Sequence, residues 1–316
     1  NCTARRITFT GSGSEANNLA IKGVAFANWN SKNHIITTSI EHPSVIDTCQ
    51  WLERHGFEVT YLEIDKTKQL NPEDLKSAIT EKTCLISVMM ANNETGSINP
   101  ITELVRIAKE RNVLFHTDCV QAIGKIPIDV NTLGVDLLTM SGHKLYGPKG
   151  IGALYIRKGV VLEPLISGGK QENGMRAGTE NVLGIVGLGK AAELAVQRIH
   201  EMDRIKRMRD KLEKGIRELM AEAKLNGNPG AMLPNTLNIT LPGIRGESVV
   251  LALDQKGVSL SSGSACRAGS PKPSHALLAM GLSEEEAHCA LRFSLGLGNT
   301  MEEIDRTIDL LGEVIR

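Results

Sequence analysis

The chain of 316 residues carries 36 basic and 36 acidic side chains, and 41% of its residues are hydrophobic. This balance gives no electrostatic reason to expect a nucleic acid or an anionic membrane as partner, and no apolar run approaches the roughly 18 to 20 residues that span a bilayer. Six cysteines without a C-x-x-C pair argue against a metal site and a disulfide framework, and they favour a reducing, cytoplasmic setting.

Short apolar runs alternate with helical patterns through the first half of the chain. The runs are RITFT, HIITTS, FEVTYLEI, TCLISVMMA, VLFHTD, DLLTMSG and GALYIRK. Several lack polar–apolar alternation, which is typical of strands buried on both faces. Helical stretches between strands imply crossover connections and parallel pairing. The sequence therefore predicts an α/β fold with a mainly parallel seven-stranded sheet flanked by helices.

The pattern changes near residue 168. A glycine-rich passage, SGGKQENGMRAGTENV, leads into a long helical pattern at about 182–223 that leaves room for a kink, and the strand-like runs TLNITL and LRFSLG follow it. We therefore predict a large domain over residues 1–167. The remainder, 168–316, is predicted to form a smaller α+β domain that begins with the long linking helix.

Polar residues follow the predicted strands directly, at the carboxyl ends where open α/β sheets bind ligands. They are Gly11 to Ser14, Glu41, His42, Asn92, Asn93, Asp118, Gln121 and Ser141 to Lys144. Taken singly, each also fits a structural role, such as a helix cap or a turn residue. Together they form a set too polar and too varied for a core, so this edge is the predicted site.

Lys144 and Asp118 are separated by one crossover unit, and both follow predicted strands. The two side chains could therefore face one cleft. The glycine-rich turn Gly11 to Ser14, which precedes a predicted helix, is a loop of the type that binds phosphate. An amine opposite a carboxylate, with such a loop nearby, is the arrangement expected for pyridoxal phosphate. A solvated turn lysine and a capping aspartate remain the alternative interpretation of these two residues.

Cys266 lies in SSGSACRAGSPKPS, whose glycine, serine and proline content predicts an exposed loop. Arg267 follows it and favours the thiolate form, which suits attack on a substrate sulfur. Four other cysteines stand in apolar settings and are predicted to be small buried hydrophobes. They are Cys49, Cys84, Cys119 and Cys289.

The stretch SGHKLYGPKGIGALY resembles the cofactor-lysine motif of the cysteine desulfurases, a NifS- and IscS-like branch of the class V aminotransferase family. Further motifs match this family in order: FTGSGSEANN, EHPSV, NNETG, HTDCVQAIGK, MRAGTENV, LPNTLNI, SSGSACRAGS and LRFSLG. The resemblance implies a fold type I enzyme that depends on pyridoxal 5′-phosphate. It also implies removal of sulfur from L-cysteine, which leaves alanine and an enzyme persulfide for iron–sulfur cluster or thiolation pathways.

The resemblance also implies residue roles. Lys144 would form the Schiff base and move the α-proton, His42 would stack on the cofactor ring and Cys266 would take the sulfur. Further cofactor contacts are implied for Gly13, Ser14, Asn93, Asp118 at the pyridinium nitrogen, Gln121 at the phenolic oxygen, Ser141 and His143. Thr179 would reach the phosphate of the other subunit of a homodimer, and Arg292 would bind the substrate carboxylate. A sulfur-acceptor protein such as an iron–sulfur scaffold is the implied partner.

Other functions remain open at this point. One is a selenocysteine lyase or a related carbon–sulfur lyase, and another is a truncated, non-catalytic binding or scaffold protein. Family members carry a further segment ahead of the equivalent of RITFTGSGSEANN, where it completes the small domain and lines the cleft. We therefore expect a chain without that segment to turn over more slowly than one that has it.

Overall fold

The computed structural model describes residues 1–65, 69–262 and 272–316. Two compact units make up this described part of the chain. Unit 1 takes residues 1–64, 69–91 and 99–198, and unit 2 takes residues 65, 92–98, 199–262 and 272–316. The predicted division into domains 1–167 and 168–316 stays a prediction.

Unit 1 contains a seven-stranded sheet, counted over the described residues, with the order β1-β7-β6-β5-β4-β2-β3. Its strands are β1 Ile7–Thr10, β2 His34–Thr38, β3 Glu58–Leu62, β4 Thr83–Ser87, β5 Leu114–Asp118, β6 Leu137–Ser141 and β7 Gly152–Ile156. β7 pairs antiparallel with β1 and β6, and the remaining neighbours are parallel. The predicted strands and the mainly parallel sheet are confirmed.

All but one of the described α-helices of unit 1 begin at a side-chain cap, and the exception follows Pro100. The helices are α1 Gly13–Ala27, α2 Pro43–Glu53, α3 Pro72–Ala78, α4 Ile101–Glu110, α5 Val130–Leu133 and α6 Val182–Gln197. The side chain of Asn71 accepts from the Glu73 amide, with Pro72 in the first turn of α3. Proline suits that position because its missing N–H has no intrahelical partner there. Ser12 caps α1 in the same way, through the Glu15 amide.

Burial of apolar side chains between α1 and the sheet forms the main core of unit 1. Every residue of β2 and of β4 is buried, and α1 contributes Leu19, Ile21 and Val24 to the same cluster. Burying one such side chain stabilises the fold by about 1.5–3 kcal/mol. Because β2 and β4 are covered on both faces, a ligand can approach these strands only at their ends.

Unit 2 has an antiparallel sheet with the order β10-β11-β9-β8. Its strands are β8 Lys224–Leu225, β9 Thr236–Thr240, β10 Ser261–Ser262 and β11 Ala290–Ser294. Its helices are α7 Met202–Leu219, α8 Gly246–Asp254, α9 His275–Ala279, α10 Glu284–His288 and α11 Met301–Ile315. The long helical pattern at about 182–223 is divided, because a 3₁₀ turn at Ile199–Glu201 separates α6 from α7.

Four cysteines lie inside the protein, as the sequence predicts. They are Cys49, Cys84, Cys119 and Cys289. Burial raises the pKa of the Cys49 and Cys119 thiols, and it raises that of Cys84 to about 11. These thiols are therefore poor nucleophiles at neutral pH. In the same described ranges, no helix is long and apolar enough to cross a membrane.

Gly152 on β7 allows the turn at the start of α1 to lie directly on the sheet. A Cβ atom at this position would lie 2.5 Å from the Ser12 carbonyl carbon and 2.8 Å from the Gly13 nitrogen. Both are backbone atoms, which cannot swing aside as a side chain can. The position of the turn between β1 and α1 therefore depends on the missing side chain.

We expect Gly152→Ala to destabilise the protein by about 1–3 kcal/mol, because the added methyl group overpacks the turn. Urea unfolding measures the change. Gly189→Ala is the matched control, since Gly189 lies in α6 with no atom within 4 Å of the added Cβ. Alanine there should be neutral or stabilise by up to about 1 kcal/mol. Equal effects of the two substitutions would contradict the close approach.

Candidate active site

Several strands of unit 1 end at one edge of the sheet. β2, β4, β5 and β6 run parallel, and β1 shares their direction because β7 is antiparallel to both β1 and β6. The predicted site residues that follow these strands in unit 1 are Gly13, Ser14, His42, Asp118, Gln121, Ser141, His143 and Lys144. The structure brings them to this edge, whereas the roles implied for them stay predictions.

A phosphate-type turn lies at the start of α1. The first-turn amides of a helix lack intrahelical partners and attract anions, and Gly13 and Ser14 supply such amides. A Cβ atom at Gly13 would lie 3.3 Å from Ser141 Cβ, so the turn after β1 touches the end of β6. There, Ser141 Oγ lies 2.9 Å from His143 Nδ1. Amides, a hydroxyl and an imidazole therefore meet in one place, a donor set that suits a phosphate group.

Asp118, at the end of β5, is a buried carboxyl group held by two donors. Asn17 Nδ2 donates to its Oδ2 at 2.7 Å, and the Val120 amide donates to its Oδ1 at 2.9 Å. Asn17 Nδ2 also donates to Ser44 Oγ at 2.8 Å, and Ser44 Oγ lies 2.8 Å from His42 Nδ1. The Ser44 amide donates to the same ring nitrogen, which makes Nδ1 an acceptor. A continuous hydrogen-bond path thus joins Asp118 to His42.

Opposing influences act on the charge of Asp118. Burial raises its pKa, and this effect outweighs the hydrogen bonds from Asn17 and from the Val120 amide and the electrostatic interaction with His42, all of which lower the pKa. A cation placed against Asp118 would favour the carboxylate further. The site is therefore suited to pair with a protonated ring nitrogen.

A second buried carboxyl group, Glu41, directly precedes His42. Thr38 Oγ1 donates to Glu41 Oε1 at 2.7 Å, and the Met89 amide donates to the same oxygen at 2.8 Å. Burial raises the pKa of Glu41 to about 8, and the negative charge of Asp118 adds to the rise. Glu41 is therefore mostly protonated at neutral pH, which keeps a second negative charge away from Asp118.

Glu41→Gln tests this protonation through stability. The folded-state pKa of about 8 lies above the ordinary value of 4.5, so the folded protein holds a proton that the unfolded chain releases. The contribution of Glu41 to stability is therefore greatest below pH 4.5 and is lost as the pH rises to about 8, by at most about 1.4 kcal/mol per unit. Gln stays neutral, so the variant should gain stability over the parent between pH 5 and pH 8.

Urea unfolding at pH 5, 6.5 and 8 measures this gain. Glu110→Gln is the matched control, because Glu110 lies at the exposed end of α4. A difference between parent and Glu41→Gln that does not change across these three pH values would show that the buried carboxyl group is not held protonated.

Lys144 lies in the 3₁₀ turn Gly142–Leu145, directly after β6. Its side chain is exposed, whereas that of Lys125 is half-buried. Lys125 Nζ donates to the Gln121 carbonyl at 2.8 Å, and the charge of Lys144 acts on Lys125. A lysine amine is activated by burial or by a neighbouring positive charge. Lys125 is a residue that carries such a charge.

Thr179 lies in the loop that precedes α6, also in unit 1. In this loop Arg176 Nε pairs with Glu15 Oε1 at 2.9 Å, and Glu15 Oε2 accepts from the Gly11 amide at 2.8 Å. This ion pair joins the Thr179 loop to the phosphate-type turn. A cavity of about 160 Å³ lies there, and its lining includes Thr10, Gly11, Gly178, Glu180 and Asn181. Thr179 is therefore carried on a loop that contacts the turn.

Asn93 and Arg292 belong to unit 2, where they meet across a separation of 199 residues. Arg292 Nη1 donates to the Asn93 carbonyl at 3.0 Å, and Nη2 lies 3.4 Å from Ser261 Oγ. The pairing of β10 with β11 places Ser261 opposite Arg292. The Arg292 guanidinium is thus oriented by two strands and a distant turn. Cys266 lies outside the described residues, so its role stays a prediction.

Three residues that contact the predicted site residues or their neighbours were not identified from the sequence. Asn17 and Ser44 link Asp118 to His42, and the turn that carries Lys125 contacts Leu145, the residue after Lys144. One signal was available for Asn17: it follows Gly13 by four residues and so lies on the same face of α1. The position of Ser44 near a helix start indicates only capping. Nothing in the sequence around Lys125 distinguishes it from a solvated lysine.

Comparison with known proteins gives a consistent result. The family model "Aminotransferase class-V" matches residues 1–307. A curated relative, cysteine desulfurase IscS of Methanosarcina thermophila, is 53% identical over 98% of this chain and 77% of its own length. The solved structure of a NifS-like protein has a TM-score of 0.92 and 40% identity, and the match covers 99% of this chain and 83% of that one.

A third similar protein was solved with a ligand. This structure, titled "SspA in complex with cysteine", is 40% identical in sequence and has a TM-score of 0.79. The match covers 93% of this chain and 82% of that chain.

Proposed function

This chain belongs to the class V aminotransferase family and, within it, to the cysteine desulfurases, and from that premise we propose that its site uses pyridoxal 5′-phosphate to remove sulfur from L-cysteine. The observation that carries the proposal is the placement of Lys144 and Asp118 at one sheet edge, beside the phosphate-type turn. The similar protein solved with cysteine supports the choice of substrate.

The donor set fits the two ends of this cofactor. The phosphate would be held by the Gly13 and Ser14 amides, Ser141, His143 and, from a second subunit, Thr179. Asp118 would pair with the pyridinium nitrogen, Gln121 with the phenolic oxygen and His42 with the ring face, while Asn93 would contribute a further contact. Lys144 would hold the cofactor covalently. When bound, the cofactor supplies an electron sink for bond cleavage on the amino acid.

Side chains of this protein would bind the substrate, move the proton and accept the sulfur. The guanidinium of Arg292 would bind the substrate carboxylate through two parallel hydrogen bonds, and the Asn93 carbonyl fixes its direction. The amine of Lys144 would take the proton from the substrate α-carbon and return it. The Cys266 thiolate would attack the substrate sulfur, and the carbon–sulfur bond would break with its electron pair left on carbon. Protonation of that carbon gives alanine, and Cys266 keeps the sulfur as a persulfide.

A second copy of this chain is the partner we propose for α6. Near its start Val182, Leu183 and Val186 expose 63%, 87% and 66% of their surface, and Val196 near its end exposes 74%. Apolar side chains this open mark a surface that associates with protein. Thr179 precedes this helix by three residues, so a homodimer formed through α6 would bring Thr179 close to the second subunit.

The proposal extends to the fate of the sulfur. A sulfur-acceptor protein in iron–sulfur cluster assembly is in keeping with the IscS relatives. A cytoplasmic location suits the free thiols of Cys2, Cys49, Cys84, Cys119 and Cys289, since a reducing compartment preserves them.

Borohydride reduction of the cofactor-loaded protein, followed by peptide mapping, should place the cofactor label on Lys144. The Lys149→Ala variant is a control that should keep the label, because Lys149 is an exposed lysine on the following turn. A label on Lys125, the neighbouring amine, would show that the cofactor lysine has been wrongly assigned.

Cys266→Ser should keep the visible absorption of the cofactor and still bind L-cysteine, but release no sulfide above background. Serine is nearly isosteric with cysteine but much too weakly acidic to act as the nucleophile. Alkylation and mass spectrometry should find the persulfide on Cys266 in the parent. Cys2→Ser is the matched control, since Cys2 is an exposed free thiol, and it should retain activity. Parental desulfuration by Cys266→Ser would favour a lyase that does not need this thiol.

A further inference from the structure

Lys125 is a half-buried lysine whose charge the chemistry above does not use. It ends a tight turn after β5, in which the Ala122 amide donates to the Cys119 carbonyl at 2.9 Å and the Lys125 amide donates to the Ala122 carbonyl at 3.0 Å. Its side chain folds back onto this turn, where Nζ donates to the Gln121 carbonyl at 2.8 Å. The ammonium group is therefore fixed in place.

The turn that carries Lys125 packs against the turn that carries Lys144. Gly124 has a φ of +73°, and a Cβ atom there would lie 2.6 Å from Leu145 Cδ2. Ile123 packs in the same apolar cluster as Leu145. The immediate chain neighbours of the two lysines are thus in direct contact, and the half-buried ammonium group of Lys125 is screened less by water than an exposed one would be.

The charges around this contact are positive. Burial, followed by the charge of Lys144, lowers the pKa of Lys125 to about 8. Burial likewise lowers the pKa of His143, and Lys144, Lys149 and Lys125 lower it further, in that order. Among the described residues, no carboxylate contributes to either shift. An ammonium group in such a place disfavours a second positive charge nearby.

We propose that Lys125 is a positioning residue for Lys144: its ammonium group, fixed on the Gln121 carbonyl, favours the uncharged, nucleophilic form of the Lys144 amine. The inference rests on the proposed function in one respect, because it takes Lys144 as the lysine that bonds the cofactor. The same hydrogen bond holds the backbone at Gln121, which follows Asp118 by three residues. Lys125 is therefore tied to the turn that follows Asp118.

The test separates charge from shape. Lys125→Met keeps most of the side-chain volume and removes the charge, whereas Lys125→Arg keeps the charge. The first readout is a pH titration of the visible absorption of the cofactor-loaded protein. Its midpoint should rise by about one pH unit in Lys125→Met and stay near the parental value in Lys125→Arg. Lys158→Met, an exposed lysine just beyond β7, is the matched control and should leave the midpoint unchanged.

The second readout does not involve the cofactor spectrum. Acetylation of Lys144 by acetic anhydride at pH 7.5, followed by mass spectrometry on cofactor-free protein, reports the uncharged fraction of that amine. Its rate should fall about tenfold in Lys125→Met, in line with a shift of one pH unit. Unchanged rates and midpoints in Lys125→Met would overturn the proposal. Equal shifts in the Met and Arg variants would also overturn it, because they would assign the effect to the shape of the turn.

Two further results also have a defined interpretation. If Lys125→Met does not fold, nuclear magnetic resonance of the reductively ¹³C-methylated parent should show Lys125 titrating near pH 8, and titration of Lys125 at the ordinary lysine value of about 10.4 would overturn the proposal. If borohydride places the cofactor on a lysine other than Lys144, the proposed function fails at that step. A label on Lys144 with no effect of Lys125→Met refutes only the inference about Lys125.

Discussion

The hydrogen bonds that Asn17 and Val120 donate to Asp118 are the interaction on which the rest of the site depends. A buried carboxyl group without partners costs several kcal/mol, and each bond to a charged acceptor restores about 1.5–3 kcal/mol. Asn17 lies in the first turns of α1, so the same bond holds the helix whose N-terminus forms the phosphate-type turn. Asn17 also donates to Ser44 Oγ, which in turn holds the His42 ring through Nδ1. One amide group thus sets the relative position of three strand ends.

The fold and the outline of the site could be predicted because both follow from burial. Strands such as β2 and β4 lack polar–apolar alternation, which is how strands covered on both faces are recognised. Polar residues directly after such strands have one available place, the carboxyl edge of the sheet. Asp118 and Lys144 were therefore expected together, and the structure places both at that edge.

Other features depend on contacts that sequence spacing does not express. Asn93 and Arg292 meet across 199 residues, and no local pattern predicts that pairing. The helical pattern at about 182–223 left room for a kink but did not locate it, and the structure places a 3₁₀ turn between α6 and α7. Lys125 was overlooked for a different reason. The burial of a lysine depends on what packs over it, and the contact of its turn with Leu145 is visible only in three dimensions.

The short segment 92–98 has a consequence for how this protein can be divided. It lies in unit 2, although 100 residues, 99–198, separate it in the chain from residue 199, where the main part of that unit begins. Within unit 2, Asn238 donates to the Glu94 carbonyl, the Ile98 amide donates to the Ala231 carbonyl, and Ser97 forms a bridge to Met232. A recombinant fragment that begins at residue 199 would lack these partners, and the buried Asn238 Nδ2 would lose its acceptor. Unit 2 is therefore a discontinuous folding unit, which cannot be complete until the chain has closed a long loop.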